Sequence, residues 1–280
     1  MDLLRYAAFT TDPAGGNPAG VVLDATGVPA DELQRAAADL GYPETAFLVP
    51  TAEPGAFGVR YFSPLAEVTF CGHATIASAV ALAEHGTSGV VRLATAAGPV
   101  EVRTSPDVTG RVVATLVSVP PRSVPLADED RDELLASLRW AADDLDPLLP
   151  LRVAFAGAWH PVVAARTRLR LADLDYDVDR LGALMAARGW TTVDLVHREA
   201  PGLFHARNPF PPGGQWEDPA TGAAAAALGG YLRELGLVEP PATVTVHQGD
   251  DLGRPGLLTV TIPRDPASGI EVSGTAVRIP

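Results

Sequence analysis

The sequence predicts an α+β fold built from two similar halves, each a set of short strands around one apolar helix. Three observations carry this. A helix from Asp31 to Leu40, with Leu33, Ala36, Ala37 and Leu40 on one face, is stopped by Gly41. A second helix, from Asp179 to Arg188, carries Leu181, Leu184 and Met185 on one face and is stopped by Gly189. Each is followed by two strand-like runs, then by a short motif opening an alanine-rich stretch, 30 residues after the first glycine and 29 after the second. The same order at the same spacing is the mark of a duplication.

The strand-like runs are Ala46 to Val49 and Gly58 to Phe62 in the first half, Val193 to Val196 and Leu203 to Ala206 in the second. The motifs are Cys71-Gly72-His73-Ala74-Thr75 and Asp218-Pro219-Ala220-Thr221-Gly222, and the alanine-rich stretches after them read as buried helices. Further short β runs cover 90–95, 99–103, 112–119, 243–247, 257–262 and 276–279. Small alanines let a curved sheet approach each helix from every side. Pro120-Pro121 interrupts the chain between the halves. The final strand could return to either half; the expected domains are 1–119, completed by 267–280, and 120–266. The acidic run 128–146 predicts an amphipathic helix with Leu134, Leu135, Leu138 and Ala142 on its inner face.

Composition narrows the function. The 280 residues carry a net charge of −13, which argues against a sequence-independent nucleic-acid or anionic-membrane surface. Much of that charge is the acidic helix and says little about a substrate. One cysteine excludes an intrachain disulfide, a multi-thiolate zinc site and any mechanism needing two thiols in the chain. No basic start or sustained apolar stretch marks a targeting or membrane segment, so a cytoplasmic protein is expected.

Under a twofold relation, the two motif helices present their N-termini to one cleft. Their unpaired N–H groups and partial positive charge suit a carboxylate or a developing carbanion. Gly72 and Gly222 either permit close approach to a ligand or simply make tight turns. Cys71 reads as a helix-terminal thiolate or as a buried structural thiol. His73 reads as a proton shuttle or as a satisfied structural group. Asp218 stands where an N-cap acid belongs, and Glu217 beside it reads as solvent-facing. Glu44 enters an apolar strand, where desolvation would raise its pKa toward the range useful for general acid–base work, or else it is a surface turn acid.

With these residues assembled, the chain resembles the PhzF family, the phenazine-biosynthesis isomerases and their relatives with the diaminopimelate-epimerase fold. The motifs that carry the likeness are Gly15-Gly16-Asn17-Pro18-Ala19-Gly20-Val21-Val22, Glu44-Thr45-Ala46-Phe47, Arg60-Tyr61-Phe62-Ser63-Pro64, Cys71-Gly72-His73-Ala74-Thr75, Ala206-Arg207-Asn208, Glu217 to Ala223, Gln248-Gly249 and Gly253-Arg254-Pro255. The resemblance implies two pseudo-symmetric barrel-like domains, each around a central helix, with the active site in the interdomain cleft. It implies Glu44 as general acid/base, with His73 and Asp218 holding substrate and assisting. Asn17, Cys71, Gly72, Gly222 and Ala223 would line the substrate site, the backbone amides binding a carboxylate. No metal or cofactor is implied, and a homodimer is compatible with it. Ala223 departs from the family's usual Ser, which puts the phenazine substrate in doubt.

The leading expectation is a cofactor-independent isomerase moving a proton between carbons of a small carboxylic acid, in secondary-metabolite biosynthesis. Two others stay open: a racemase or epimerase using Cys71 with Asp218 or Glu44, and a small-acid binding protein without turnover.

Overall fold

A computed structural model describes residues 1–280, and the chain divides into two compact units, Met1–Val117 with Ser273–Pro280, and Ser118–Val272. Against the expected boundaries, the crossings fall at 117/118 and 272/273.

The first unit runs β1 (Leu4–Ala8), β2 (Asn17–Val22), α1 (Ala30–Leu40), β3 (Glu44–Pro50), β4 (Ala56–Phe62), β5 (Glu67–Val68), α2 (Gly72–Glu84), β6 (Val90–Thr95), β7 (Gly98–Pro106) and β8 (Val112–Val117). Neighbouring strands pair antiparallel except β2 with β3 and β4 with β6, which are parallel and bridged by the crossover helices α1 and α2. Near the C-terminus, Ser273 Oγ meets Thr115 Oγ1 of β8 at 2.8 Å, and Ala276–Arg278 pairs with β1. The last residues thus close the curved sheet on itself. Inside lies α2, buried without a break from His73 to Leu82, so it shows no amphipathic period. Helix α1 lies outside, packing Leu33 and Ala37 against Val22, Phe47 and Phe62.

The second unit runs β9 (Arg122–Pro125), α3 (Asp128–Leu138), β10 (Arg152–Phe155), β11 (Trp159–Ala164), α4 (Arg168–Ala172), α5 (Val178–Arg188), β12 (Asp194–Ala200), β13 (Leu203–Phe210), β14 (Gln215–Asp218), α6 (Gly222–Glu234), β15 (Ala242–Gln248) and β16 (Gly256–Ile262). From β10 onward it repeats the first unit. The pairs β11–β12 and β13–β15 are parallel, as β2–β3 and β4–β6 are. Helix α6 is buried from Ala224 to Leu232, and like α2 it has 13 residues. The duplication read from the sequence is therefore present in the strand order.

Helix α3 is shorter than the acidic run suggested. Arg139 adopts a left-handed conformation (φ 56°) and ends it at Leu138, so Ala142 falls in a separate 3-10 turn. Leu134, Leu135 and Leu138 are buried as expected, against Trp140, Leu181 and Met185 among others.

Candidate active site

The start of α2 is built by a chain of buried hydroxyls. Thr75 Oγ1 donates to the Cys71 carbonyl (2.7 Å), so the Tyr61 hydroxyl, 2.6 Å away, donates to Thr75. This pins Cys71 as the N-cap residue of α2 in an extended conformation, with its thiol not used for capping. A Cβ added to Gly72 would meet no protein atom within 4 Å. Packing within the protein therefore does not demand glycine there.

Three of the candidate side chains, Glu44, Cys71 and His73, converge on this helix start. Parallel pairing places Glu44, the first residue of β3, opposite Ala19 of β2. Its Oε2 lies 3.4 Å from His73 Nε2 and 3.5 Å from Cys71 Sγ. The other ring nitrogen, Nδ1, lies 3.1 Å from Asn17 Nδ2 and 3.3 Å from Cys71 Sγ. Burial pushes His73 down to about 3, against a hydrogen bond with the Pro18 backbone, so the ring is neutral near pH 7. A neutral imidazole has one donor and one acceptor nitrogen, and here it links Asn17 on one side to Glu44 on the other. The Glu44 side chain keeps 14% of its surface accessible, whereas Asn17 is fully buried. An accessible carboxylate backed by a thiol and a neutral imidazole can exchange protons with a ligand at the helix N-terminus.

In the second unit, Asp218, Gly222 and Ala223 gather at the start of α6. Asp218 is not the N-cap; it ends β14, and Thr221 caps the helix. The Asp218 Oδ2 accepts from Thr221 Oγ1 at 2.6 Å. Gln248, buried at the end of β15, clamps both: Nε2 donates to the Asp218 carbonyl (2.7 Å) and to Thr221 Oγ1 (3.0 Å), while Oε1 accepts from Thr221 N–H (3.0 Å). Gly249 follows at φ 89°, and a Cβ there would sit 2.3 Å from the Arg254 carbonyl. Glu217 is buried rather than solvent-facing, because Arg207 Nε donates to its Oε2 at 2.9 Å and Arg207 Nη2 bonds its other oxygen. The pair fastens β14 to β13 beside Asn208 and Asp218, which are cross-strand partners. Thr221 lies three residues from Asp218 in the same motif, whereas only the folded strand order brings Gln248 to them and Arg207 to the neighbouring Glu217.

The repeat also gives each residue a counterpart. Ala19 faces Glu44 as Val162 faces Asp194, so Glu44 corresponds to Asp194 and Asn17 to His160. The helix starts pair Cys71 with Thr221 and His73 with Ala223. In the second unit His160 and Asp194 are the two ends of a buried hydrogen-bonded chain. Thr192 Oγ1 donates to Asn208 Oδ1 (2.6 Å) and lies 2.8 Å from His160 Nδ1, and Asn208 Nδ2 donates to Asp194 Oδ1 (3.1 Å). Burial raises Asp194 from 3.8 to about 7 and lowers His160 to about 4.

The family model of phenazine biosynthesis-like proteins matches residues 6–279. The chain belongs to the PhzF family. An uncharacterized isomerase, YfhB, of Bacillus subtilis is 32% identical over 99% of this chain and 96% of its own length. The trans-2,3-dihydro-3-hydroxyanthranilate isomerase of Pseudomonas chlororaphis is 29% identical, covering 96% of this chain and 94% of its own. The crystal structure of a PhzF-family phenazine biosynthesis protein from Bacillus anthracis superposes with a TM-score of 0.88 at 26% identity, covering 100% of this chain and 98% of that one. This PhzF protein is accordingly an isomerase with the epimerase-like α+β fold. None of its helices is long and apolar enough to cross a membrane.

Proposed function

We propose that this PhzF-family isomerase moves a proton between two carbons of a small carboxylic acid, shifting a double bond, with Glu44 as the acid/base. The single observation supporting this is the contact of the accessible Glu44 carboxylate with a neutral imidazole and a thiol at a helix N-terminus. The substrate carboxylate binds the free N–H groups of the first turn of α2. Glu44 takes a proton from the activated carbon, the electron pair delocalises toward that carboxylate, and the proton returns at the far end of the allylic system. Asn17 and Cys71 border the site, and His73 and Asp218 assist the transfer. Gly222 and Ala223 supply backbone amides, as the family pattern implies. No metal or organic cofactor enters these steps. The name of the Pseudomonas relative supplies a first candidate, trans-2,3-dihydro-3-hydroxyanthranilate, while Ala223 in place of the family's usual Ser favours a different small unsaturated acid.

The test is incubation in D₂O with trans-2,3-dihydro-3-hydroxyanthranilate and related unsaturated cyclic acids. Double-bond migration with deuterium at a new carbon is expected, and Glu44→Gln should lose it by roughly 10²-fold or more. Full turnover by a folded Glu44→Gln protein refutes the assignment. The position of Cys71 Sγ within reach of both Glu44 and His73 favours a second reading, an epimerase with the thiol as one base. Cys71→Ala separates them, since the isomerase keeps turnover and the epimerase does not.

A further inference from the structure

The hydrogen-bonding partners of His73 differ from one side of its ring to the other. Beside Nδ1 stand two groups able to donate, the Asn17 amide nitrogen at 3.1 Å and the Cys71 thiol at 3.3 Å. Beside Nε2 stands an acceptor, Glu44 Oε2, at 3.4 Å. The ring is neutral near pH 7, so it has one proton to place. The amide nitrogen can only donate, which requires a lone pair on Nδ1 and puts the proton on Nε2. The Pro18 carbonyl, also hydrogen-bonded to the ring, is the competing acceptor. A proton on Nδ1 would oppose the Asn17 N–H and turn the Nε2 lone pair toward the Glu44 carboxylate. Both mismatches would be costly here, because Asn17 and His73 are buried.

We propose that Asn17 is a positioning residue of this isomerase: its amide N–H donates to His73 Nδ1, which fixes the ring proton on Nε2 and aims it at Glu44 Oε2. The proposal rests on Glu44 being the acid/base and adds what orients that carboxylate. The Cys71 thiol is compatible with it. Its one proton can go to Nδ1 or to Glu44 Oε2, 3.5 Å away, and neither use needs a proton on Nδ1. A donor on Oε2 favours the ionised carboxylate, the form that acts as a base. The proton step then balances simply. As the C–H bond breaks, the carbon keeps the electron pair and a new O–H bond forms on the other carboxylate oxygen. His73 stays neutral as its Nε2–H form, and the same O–H returns the proton to the second carbon.

The second unit supplies an internal contrast. There His160 stands at the place of Asn17 and Ala223 at the place of His73, so no ring at the helix start needs orienting. His160 turns its Nδ1 to Thr192 Oγ1 at 2.8 Å instead. A buried amide at this strand position accompanies an imidazole only in the first unit.

The test reads the ring proton directly, without substrate. Full-length wild type and Asn17→Asp, labelled with ¹⁵N-histidine, are compared by long-range ¹H–¹⁵N spectra at pH 7, with His73 assigned by its absence from the His73→Gln spectrum. Wild type should show a protonated Nε2 and a bare Nδ1. A carboxylate at position 17 only accepts, so Asn17→Asp should protonate Nδ1. With a substrate that wild type turns over, this variant should lower kcat at least about 10-fold while KM stays within about threefold. Circular dichroism confirms the fold; should Asn17→Asp not fold, Asn17→Leu, which removes the donor, must move the Nδ1 resonance. A proton on Nδ1 in wild type, an unchanged ring in Asn17→Asp or Asn17→Leu, or a raised KM with unchanged kcat overturns the proposal. A ring that responds as expected in a protein that isomerises no acid upholds the role of Asn17 and refutes the reaction instead.

Discussion

Asp194 makes the stability of the second unit depend on pH in a calculable way. Its carboxyl is fully buried, one oxygen accepts from Asn208 and the other has no partner, so burial raises it from 3.8 to about 7. The unfolded chain releases this proton near 3.8 and the folded chain holds it until about 7. Between those values the native state binds more protons, so stability falls as pH rises and levels off above about pH 7. At about 1.4 kcal/mol per pH unit, the full loss is roughly 4 kcal/mol, and polarisable surroundings reduce it to about 2–4 kcal/mol. Asp194→Asn removes the titration while keeping an acceptor for Asn208. Any fixed cost of the new amide is the same at every pH and cancels. Relative to wild type, the variant should therefore gain about 2 kcal/mol between pH 5 and pH 8, with no further gain above. All four tryptophans lie in the second unit, so urea titrations followed by tryptophan fluorescence report this transition. A stability difference that is flat across pH 5–8, or that favours wild type as pH rises, would refute the burial of an ionisable Asp194.

His160 sets the acid limb. Burial holds it at about 4 against an ordinary 6.5, so its contribution is present above pH 6.5 and is lost as pH falls toward 4. Relative to wild type, His160→Gln should therefore gain stability as pH falls from 6.5 toward 4 in the same urea assay, a slope opposite to that of Asp194 over this window. Arg207→Met leaves Glu217 buried without a partner and should cost about 3–5 kcal/mol in the tryptophan-monitored transition, with much of it recovered in Arg207→Met/Glu217→Leu. Gly249→Ala forces a side chain into the left-handed region against the Arg254 carbonyl and should cost at least about 2 kcal/mol by thermal unfolding. Gln248→Leu removes the clamp on Asp218 and Thr221. Under the proposed reaction it lowers turnover at least about 10-fold, with far-ultraviolet circular dichroism unchanged.

How much of this was legible in the sequence depends on whether the signal was local. Gly41 and Gly189 end α1 and α5 in left-handed conformations, and both helices pack one apolar face, so glycine stops and a 3.6-residue period were enough. Helices α2 and α6 have no period to read, being buried on all sides, and only their alanine content and motif spacing betrayed them. The parallel pairings, and therefore which acid meets which helix start, are long-range facts. Asp218 looked like an N-cap because a short acid precedes the helix, yet Thr221, three residues on, takes that position and turns its hydroxyl to the acid instead. Glu217 looked exposed because its partner Arg207 lies on another strand, ten residues away. The residues of the first group, Glu44, Cys71 and His73, stood out through their local motifs, but their mutual contact depends on the β2–β3 pairing and the hydroxyl chain that fixes the start of α2.

The duplication shows how two carboxylates at the same strand position come to differ in exposure and partners. Glu44 and Asp194 occupy equivalent places, each at the beginning of a strand parallel to its neighbour. Glu44 has one more methylene, retains accessible surface, and faces a helix start that offers a thiol and an imidazole. Asp194 is shorter and fully buried, and its helix start offers Thr221 and Ala223, so its hydrogen bond runs sideways to Asn208. That diversion has a use within the second unit. Asn208, held between Thr192 and Asp194, is the cross-strand partner of Asp218, and the Arg207–Glu217 pair fixes the adjoining residues. The first copy of the motif thus keeps exchangeable protons near solvent. The second holds His160 and Asp194 in a buried hydrogen-bonded chain that runs through Thr192 and Asn208 to the strand position opposite Asp218.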